Sequence, residues 1–179
     1  MYYVIQVKTG EEEKVINDIN RFNTNRSESF NVFSPFRSVL RKYKGKYVQI
    51  NERCFPGYVF VETDDVKRLF FDLYWVPDFT RLLGRVGKED YLFAPLSEEE
   101  TRMINILYDR NDERTTRISD IELSEGDKIR ILTGPLRDTE TKIKKMDLHK
   151  RKVTIEIDMF KRKVDLDVGI NIITKIADN

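Results

Sequence analysis

Phe55-Pro56-Gly57-Tyr58-Val59-Phe60-Val61-Glu62 is the stretch on which the fold turns. A Pro-Gly pair opens a turn, and the run of aromatic and β-branched residues after it reads as a dense strand. Phe55, Tyr58 and Phe60 cannot all point inward on a half-buried strand, because side chains alternate between faces. Either these rings fill both faces of a sheet beneath helices, or some form an exposed apolar patch of the kind that marks a protein partner. Cys54, at the mouth of the strand, reads as a small packed side chain.

Working outward, the elements are mixed. Upstream, Val39 to Ile50 reads as a basic hairpin turning at Lys44-Gly45-Lys46. Tyr2 to Val7 is a short apolar strand that ends at Thr9-Gly10. Glu11 to Phe22 follows as a helix, with Val15, Ile16, Ile19 and Phe22 at helical spacing and three Glu in the first turn, where the helix dipole favours anions. Downstream, Asp65 to Tyr74 is apolar and helical, and Phe79 to Leu83 is a short strand. Ser97, with Glu100 three residues on, is a capping-box start for a helix whose face is Ile104, Leu107 and Tyr108. Strands and helices that do not strictly alternate predict an α+β domain over residues 1–108, an antiparallel sheet flanked by helices.

Residues 109–123 read as an acidic linker, since Asp109 to Arg117 lacks apolar residues. Residues 124–179 change character, opening at Glu125-Gly126-Asp127. Lys128–Leu132, Lys142–Met146, Val153–Met159, Lys163–Val168 and Asn171–Ile176 are five short strand-like segments, which predict an all-β five-stranded small barrel. Val153, Ile155, Ile157 and Met159 alternate with polar residues, as do Val164, Leu166 and Val168.

The net charge of the 179 residues is only +1, but its distribution is uneven. Residues 1–110 carry 17 basic and 17 acidic side chains, 111–123 carry 2 and 4, and 124–179 carry 13 and 10. Within Arg137 to Lys163 the ratio is 10 to 5. Arg137, Lys142, Lys144, Lys145, Lys150, Arg151, Lys152, Lys161, Arg162 and Lys163 would project from turns and strand edges of the barrel. Such clusters are either a solvated surface or a face that neutralises phosphates, and the local excess of cations favours the second. His149, in the same charged turn, is a solvated residue or a further nucleic-acid contact.

Other classes are disfavoured. No apolar run approaches the ~20 residues of a membrane-spanning helix, and the N-terminus does not read as a secretory signal. One cysteine allows no internal disulfide, which points to a reducing cytoplasm. One cysteine and one histidine are too few for a zinc site. Without nucleotide-binding glycine loops, a nucleophile elbow or a metal motif, no catalytic residue, cofactor or metal is expected.

The sequence resembles the NusG family of transcription elongation factors. Tyr3 to Glu12 looks like the family's opening strand, turn and helix, and Phe55 to Val61 matches its F-P-G-Y-V-x-V signature. Trp75-Val76-Pro77, Leu82-Leu83-Gly84 and Ala94-Pro95-Leu96-Ser97 follow in order, and the C-terminal part resembles a KOW domain. The resemblance implies a cytoplasmic, monomeric, non-enzymatic factor whose N-terminal NGN domain binds the clamp helices of the largest RNA polymerase subunit and bears on non-template DNA. Carried over, the polymerase-binding residues are Phe55, Pro56, Tyr58 and Phe60, with Met103, Ile104 and Leu107 on the final helix. The family's KOW domain meets the termination factor Rho, a ribosomal protein or nucleic acid.

Two departures bear on the KOW partner. Its characteristic glycine falls at Thr141, and the I-F-G-R element reads Met159-Phe160-Lys161-Arg162. A lysine in place of a glycine enlarges the basic face. The resemblance then lies nearest the family's specialised LoaP branch, implying antitermination through an RNA hairpin in the transcript leader. The general factor is the alternative, and a structural ribosomal component a more distant one, since KOW barrels also occur there.

Overall fold

The computed structural model describes residues 1–23, 30–86, 88, 93–108, 115–124 and 128–173. By internal contacts the chain divides into two compact units, Met1–Ser34 with Phe55–Thr101, and Pro35–Cys54 with Arg102–Asn179.

The first unit is built on an antiparallel sheet. Its strands are β1 (Tyr2–Val7), β2 (Asn31–Phe33), β5 (Tyr58–Glu62) and β6 (Phe79–Leu82), in the order β2-β5-β1-β6. One face carries Tyr3, Ile5, Val7, Val32, Val59, Val61 and Leu82, and it packs against Val15 and Ile19 of α1 (Glu12–Asn23) and Leu69 and Leu73 of α2 (Val66–Leu73). The registers Val4↔Phe60 and Phe33↔Phe60 put those three side chains on the other face. Apart from the hairpin, which lies in the second unit, the predicted elements over Tyr2 to Leu83 are present here, with ends shifted by a residue or two. Asp65 caps α2 by accepting a hydrogen bond from the Arg68 amide at 2.9 Å. Ser97 and Glu100 exchange the reciprocal bonds of a capping box at the start of α3 (Glu98–Leu107).

Glu12 was read only as a charge for the helix dipole, yet it is buried. Its two carboxylate oxygens accept from the Gly10 amide at 2.9 Å and the Gly57 amide at 2.7 Å, tying the Pro56-Gly57 turn to the start of α1. Removing both acceptors strands two backbone donors, one of them buried. Glu12→Ala is therefore expected to lower unfolding free energy by about 2–3 kcal/mol in urea denaturation. A loss below about 0.5 kcal/mol would mean that water replaces the carboxylate without penalty.

The second unit holds the hairpin of β3 (Phe36–Tyr43) and β4 (Lys46–Arg53), with β7 (Thr115–Thr116) parallel to β3. It also holds a five-stranded sheet of β8 (Ser119–Ser124), β9 (Lys128–Ile131), β10 (Ile143–Asp147), β11 (Lys152–Met159) and β12 (Arg162–Ile173), in the order β10-β11-β12-β8-β9. Val153, Ile155, Ile157 and Met159 are buried, as their alternation predicts.

Three sequence expectations change here. The hairpin, read as part of residues 1–108, clusters with the C-terminal sheet, where β3 pairs with β7 and the Arg37 guanidinium donates to the Asp167 carbonyl at 3.0 Å. The expected linker contributes two strands, Thr115–Thr116 and Ser119–Ser124, while its residues 109–114 lie outside the described residues, as does Glu125-Gly126-Asp127. The last two predicted segments are one strand, β12, of which 174–176 lie outside the described residues. Gly169, which falls between those two segments, is in mid-strand: a Cβ there would come within 2.5 Å of the Ser38 carbonyl oxygen, so the glycine allows close passage of β3. With β9 and β10 at its two ends, the sheet is open among the described residues, and only part of the expected barrel is seen.

Candidate nucleic-acid interface

The residues carried over for polymerase binding are mostly interior. Phe55, Phe60, Met103, Ile104 and Leu107 are buried, Tyr58 is half-buried and Pro56 is exposed. Phe60 stacks on Phe33 at 5.6 Å between ring centroids and meets Phe55 at the same distance, while Phe33 is edge-on to Tyr2 at 5.8 Å. The exposed rings are elsewhere. Tyr74 and Trp75, just beyond α2, are 82% and 75% exposed, and Phe71 is half exposed. Sequence reading took Phe71 and Tyr74 as part of an apolar helix and missed this patch. The signal was available: Phe70 and Phe71 are adjacent, and adjacent residues on a helix cannot share one face.

The basic residues separate into two sets. Lys144 bonds Asp165 at 2.9 Å and Glu156 at 3.5 Å, Lys163 pairs with Glu156, Lys152 donates to Asp167 at 2.6 Å, and Lys150 reaches Asp147 at 4.0 Å. Hydrogen bonding to Asp165 raises the Lys144 pKa, and that to Glu156 raises the Lys163 pKa. Burial of Asp167 pushes its pKa up, but the bonds from Lys152 and Thr154 outweigh it, leaving the carboxyl below its ordinary range. Apart from the Lys150–Asp147 contact at the β10–β11 turn, these pairs run across β10, β11 and β12, and all offset part of the local cationic excess. Arg137, Lys145 and Lys161 are exposed and outside this lattice, while Lys142 and Arg162 also lie on the second unit, just before β10 and at the start of β12.

Two of the cations sit in backbone conformations that disfavour them. Phe160 and Lys161 form the two-residue turn between β11 and β12, with φ of 58° and 60°. Such a turn calls for positive φ at both positions, which glycine or asparagine supplies most easily. Arg151, closing the turn Leu148-His149-Lys150-Arg151, has φ of 54°. Its guanidinium lies over the Tyr47 ring, 5.1 Å from the centroid, and the Tyr47 hydroxyl donates to the His149 carbonyl at 2.7 Å. The basic turn and the basic hairpin, far apart in sequence, are therefore joined in one unit.

Cys54 is packed inside. Burial pushes its thiol up to about 11, only partly offset by a contact with Thr116 Oγ1 at 3.6 Å, so it stays protonated near neutral pH. Among the described residues no helix is long and apolar enough to cross a membrane.

A family model described as "NusG: Transcription termination factor nusG" matches residues 1–105. The transcription termination/antitermination protein NusG of Staphylococcus epidermidis is 28% identical, the match covering 98% of this chain and 95% of that protein. That of Helicobacter pylori is 23% identical, covering 98% of each. Among solved structures, Thermotoga maritima NusG superposes with a TM-score of 0.52 at 22% identity, over 94% of this chain and 92% of that one. The fold is thus of the NusG type, mixed helices and strands. The chain belongs to the NusG family, whose members are transcription termination and antitermination factors.

Proposed function

We propose that this protein is a bacterial, cytoplasmic elongation and processive antitermination factor, close in role to the LoaP branch of its family. One attachment is to RNA polymerase, at the clamp helices, through Pro56 and Tyr58 and the apolar residues around them. Tyr74 and Trp75 add a ring surface suited to stacking on unpaired non-template DNA. The other attachment is the KOW-like basic sheet, on an RNA hairpin of the nascent leader. Holding polymerase with one attachment raises the local concentration of the other to roughly millimolar, so neither contact needs high affinity alone.

The observation that carries this reading is Lys161. A lysine in left-handed backbone costs about 1–2 kcal/mol relative to a residue free of that penalty, and it persists at a turn where the family pattern has glycine. Retaining a strained cation is reasonable where its charge is used. Lys161→Gly is expected to raise stability by about 1 kcal/mol or less, because the gain is tempered by glycine's larger unfolded-state entropy. The same change should weaken binding of a labelled RNA hairpin and flatten its salt dependence by about one charge. Unchanged affinity and salt slope would remove Lys161 from the interface. The functional check is transcript sequencing with and without the protein, with readthrough confined to a few long operons as the expected result.

One observation favours a second reading. The Lys144, Lys152 and Lys163 ion pairs leave fewer cations available than the composition suggests. A general NusG role, with Rho or a ribosomal protein on the same surface, accommodates that better. Effects spread across most operons would select it.

A further inference from the structure

The basic hairpin and the basic turn enclose a cleft of about 400 Å³ within the second unit. Its hairpin wall includes Arg41, Lys42 and Tyr47, and its opposite wall includes His149, Lys150 and Lys152. Arg37, Glu52 and Asp167 complete the charged groups, so five cations face two carboxylates. Both carboxylates are engaged: Glu52 accepts from Arg37 and Arg41, and Asp167 from Lys152 and Thr154. They orient the cations rather than leaving uncompensated negative charge at the mouth. Lys42 is exposed and outside these pairs, and the Lys150 ammonium reaches only the distant Asp147 contact.

We propose that this cleft holds an unpaired nucleotide of RNA, with the hairpin β3–β4 as the second wall of the RNA site. The inference rests on the RNA-binding reading above and deepens it, since neither composition nor the family resemblance assigns the hairpin to RNA. Three features select this ligand. The volume lies at the small-ligand end of binding clefts, which suits one splayed nucleotide and not a duplex. Arg151 over Tyr47 makes a planar cation–aromatic platform on which a base can stack. Lys42, Lys150 and Arg41 lie around it as point and forked donors for the flanking phosphates. An acidic peptide would use the cations but not the platform.

The platform is held by the turn itself. Arg151 adopts positive φ, and the same turn presents the His149 carbonyl to the Tyr47 hydroxyl. Those two contacts lock hairpin to turn, so the cleft is preformed, and binding spends little on ordering it.

The test uses the full-length chain and fluorescence anisotropy with three labelled probes, a short oligouridylate, a blunt RNA duplex of mixed sequence and polyglutamate. Tyr47→Ala is expected to weaken oligouridylate binding about tenfold, the loss of one stacked base. Tyr47→Phe should stay within about threefold, since it keeps the ring. Lys42→Glu, at an exposed position, should weaken the same probe severalfold and reduce the salt slope. If Tyr47→Ala and Lys42→Glu both bind like wild type while Lys145→Glu and Lys161→Glu bind weakly, the cleft proposal is overturned and the RNA-binding reading stands. If the wild-type protein binds neither RNA probe nor the labelled RNA hairpin, both readings fall together. Equal weakening toward oligouridylate and polyglutamate would also overturn it, by marking a generic anion surface.

Discussion

Phe60→Ala should cost about 3–5 kcal/mol of folding free energy, the range for emptying a buried aromatic site. The ring is fully buried and lies between Phe33 and Phe55, with centroids 5.6 Å from each. Such contacts add to the area term because the rings meet in offset or tilted geometry. Since a domain of ordinary stability has about 5–15 kcal/mol in total, the variant should show a large shift in denaturant midpoint, with an unchanged slope if folding stays two-state. The consequence for function is direct. A polymerase-binding assay on this variant would register lost binding merely because the first unit is destabilised. Pro56→Ala and Tyr58→Ala, at an exposed and a half-buried position, are the informative changes and should cost under about 1.5 kcal/mol each. If Phe60→Ala instead unfolds at the wild-type midpoint while losing polymerase binding, the ring belongs to a free surface.

Gly134→Ala is the second large effect, and it arises from two independent causes. Gly134 has φ of 86° and ψ of −177°, a region essentially confined to glycine, where an L side chain loses about 1–3 kcal/mol. A Cβ there would also stand 2.6 Å from Ser119 Oγ and 2.7 Å from Ser119 Cα. Ser119 cannot move aside easily, because it is fully buried and its hydroxyl accepts from the Leu136 amide at 3.1 Å. Overpacking of this kind adds about 1–3 kcal/mol, so the total expected loss is about 2–6 kcal/mol. Gly45→Ala isolates the backbone contribution: Gly45 has φ of 81°, but nothing lies within 4 Å of its Cβ position. That variant should lose about 1–2 kcal/mol only. Equal losses at the two glycines would show that Ser119 yields and that packing at the Gly134-Pro135 turn is loose.

Several features of this protein were legible as sequence because their causes are local. Apolar spacing marked α1 and α2, Ser97 with Glu100 marked the start of α3, and Lys44-Gly45 marked the hairpin turn, which the structure closes with φ of 47° and 81°. Alternation along Val153 to Met159 marked β11 with its buried face. The concentration of cations between Arg137 and Lys163 was also a matter of counting.

What local signals could not carry was pairing over distance. Glycine at 169 has the same sequence appearance whether it turns the chain or lets another strand pass, and only the approach of Ser38 distinguishes them. An acidic, polar stretch looks like linker until β12 and β9 take Ser119–Ser124 between them. A cluster of lysines looks free until Glu156, Asp165 and Asp167 line up across β11 and β12. Phe60 and Tyr58 share one signature, and burial depends on rings brought from Phe33 and Phe55. The sequence by itself therefore determined the elements, the family and the sign of the charge. Tertiary structure decided which cations are free, which aromatics are reachable and that the hairpin meets the basic turn, because burial and ion pairing depend on residues that only folding brings together.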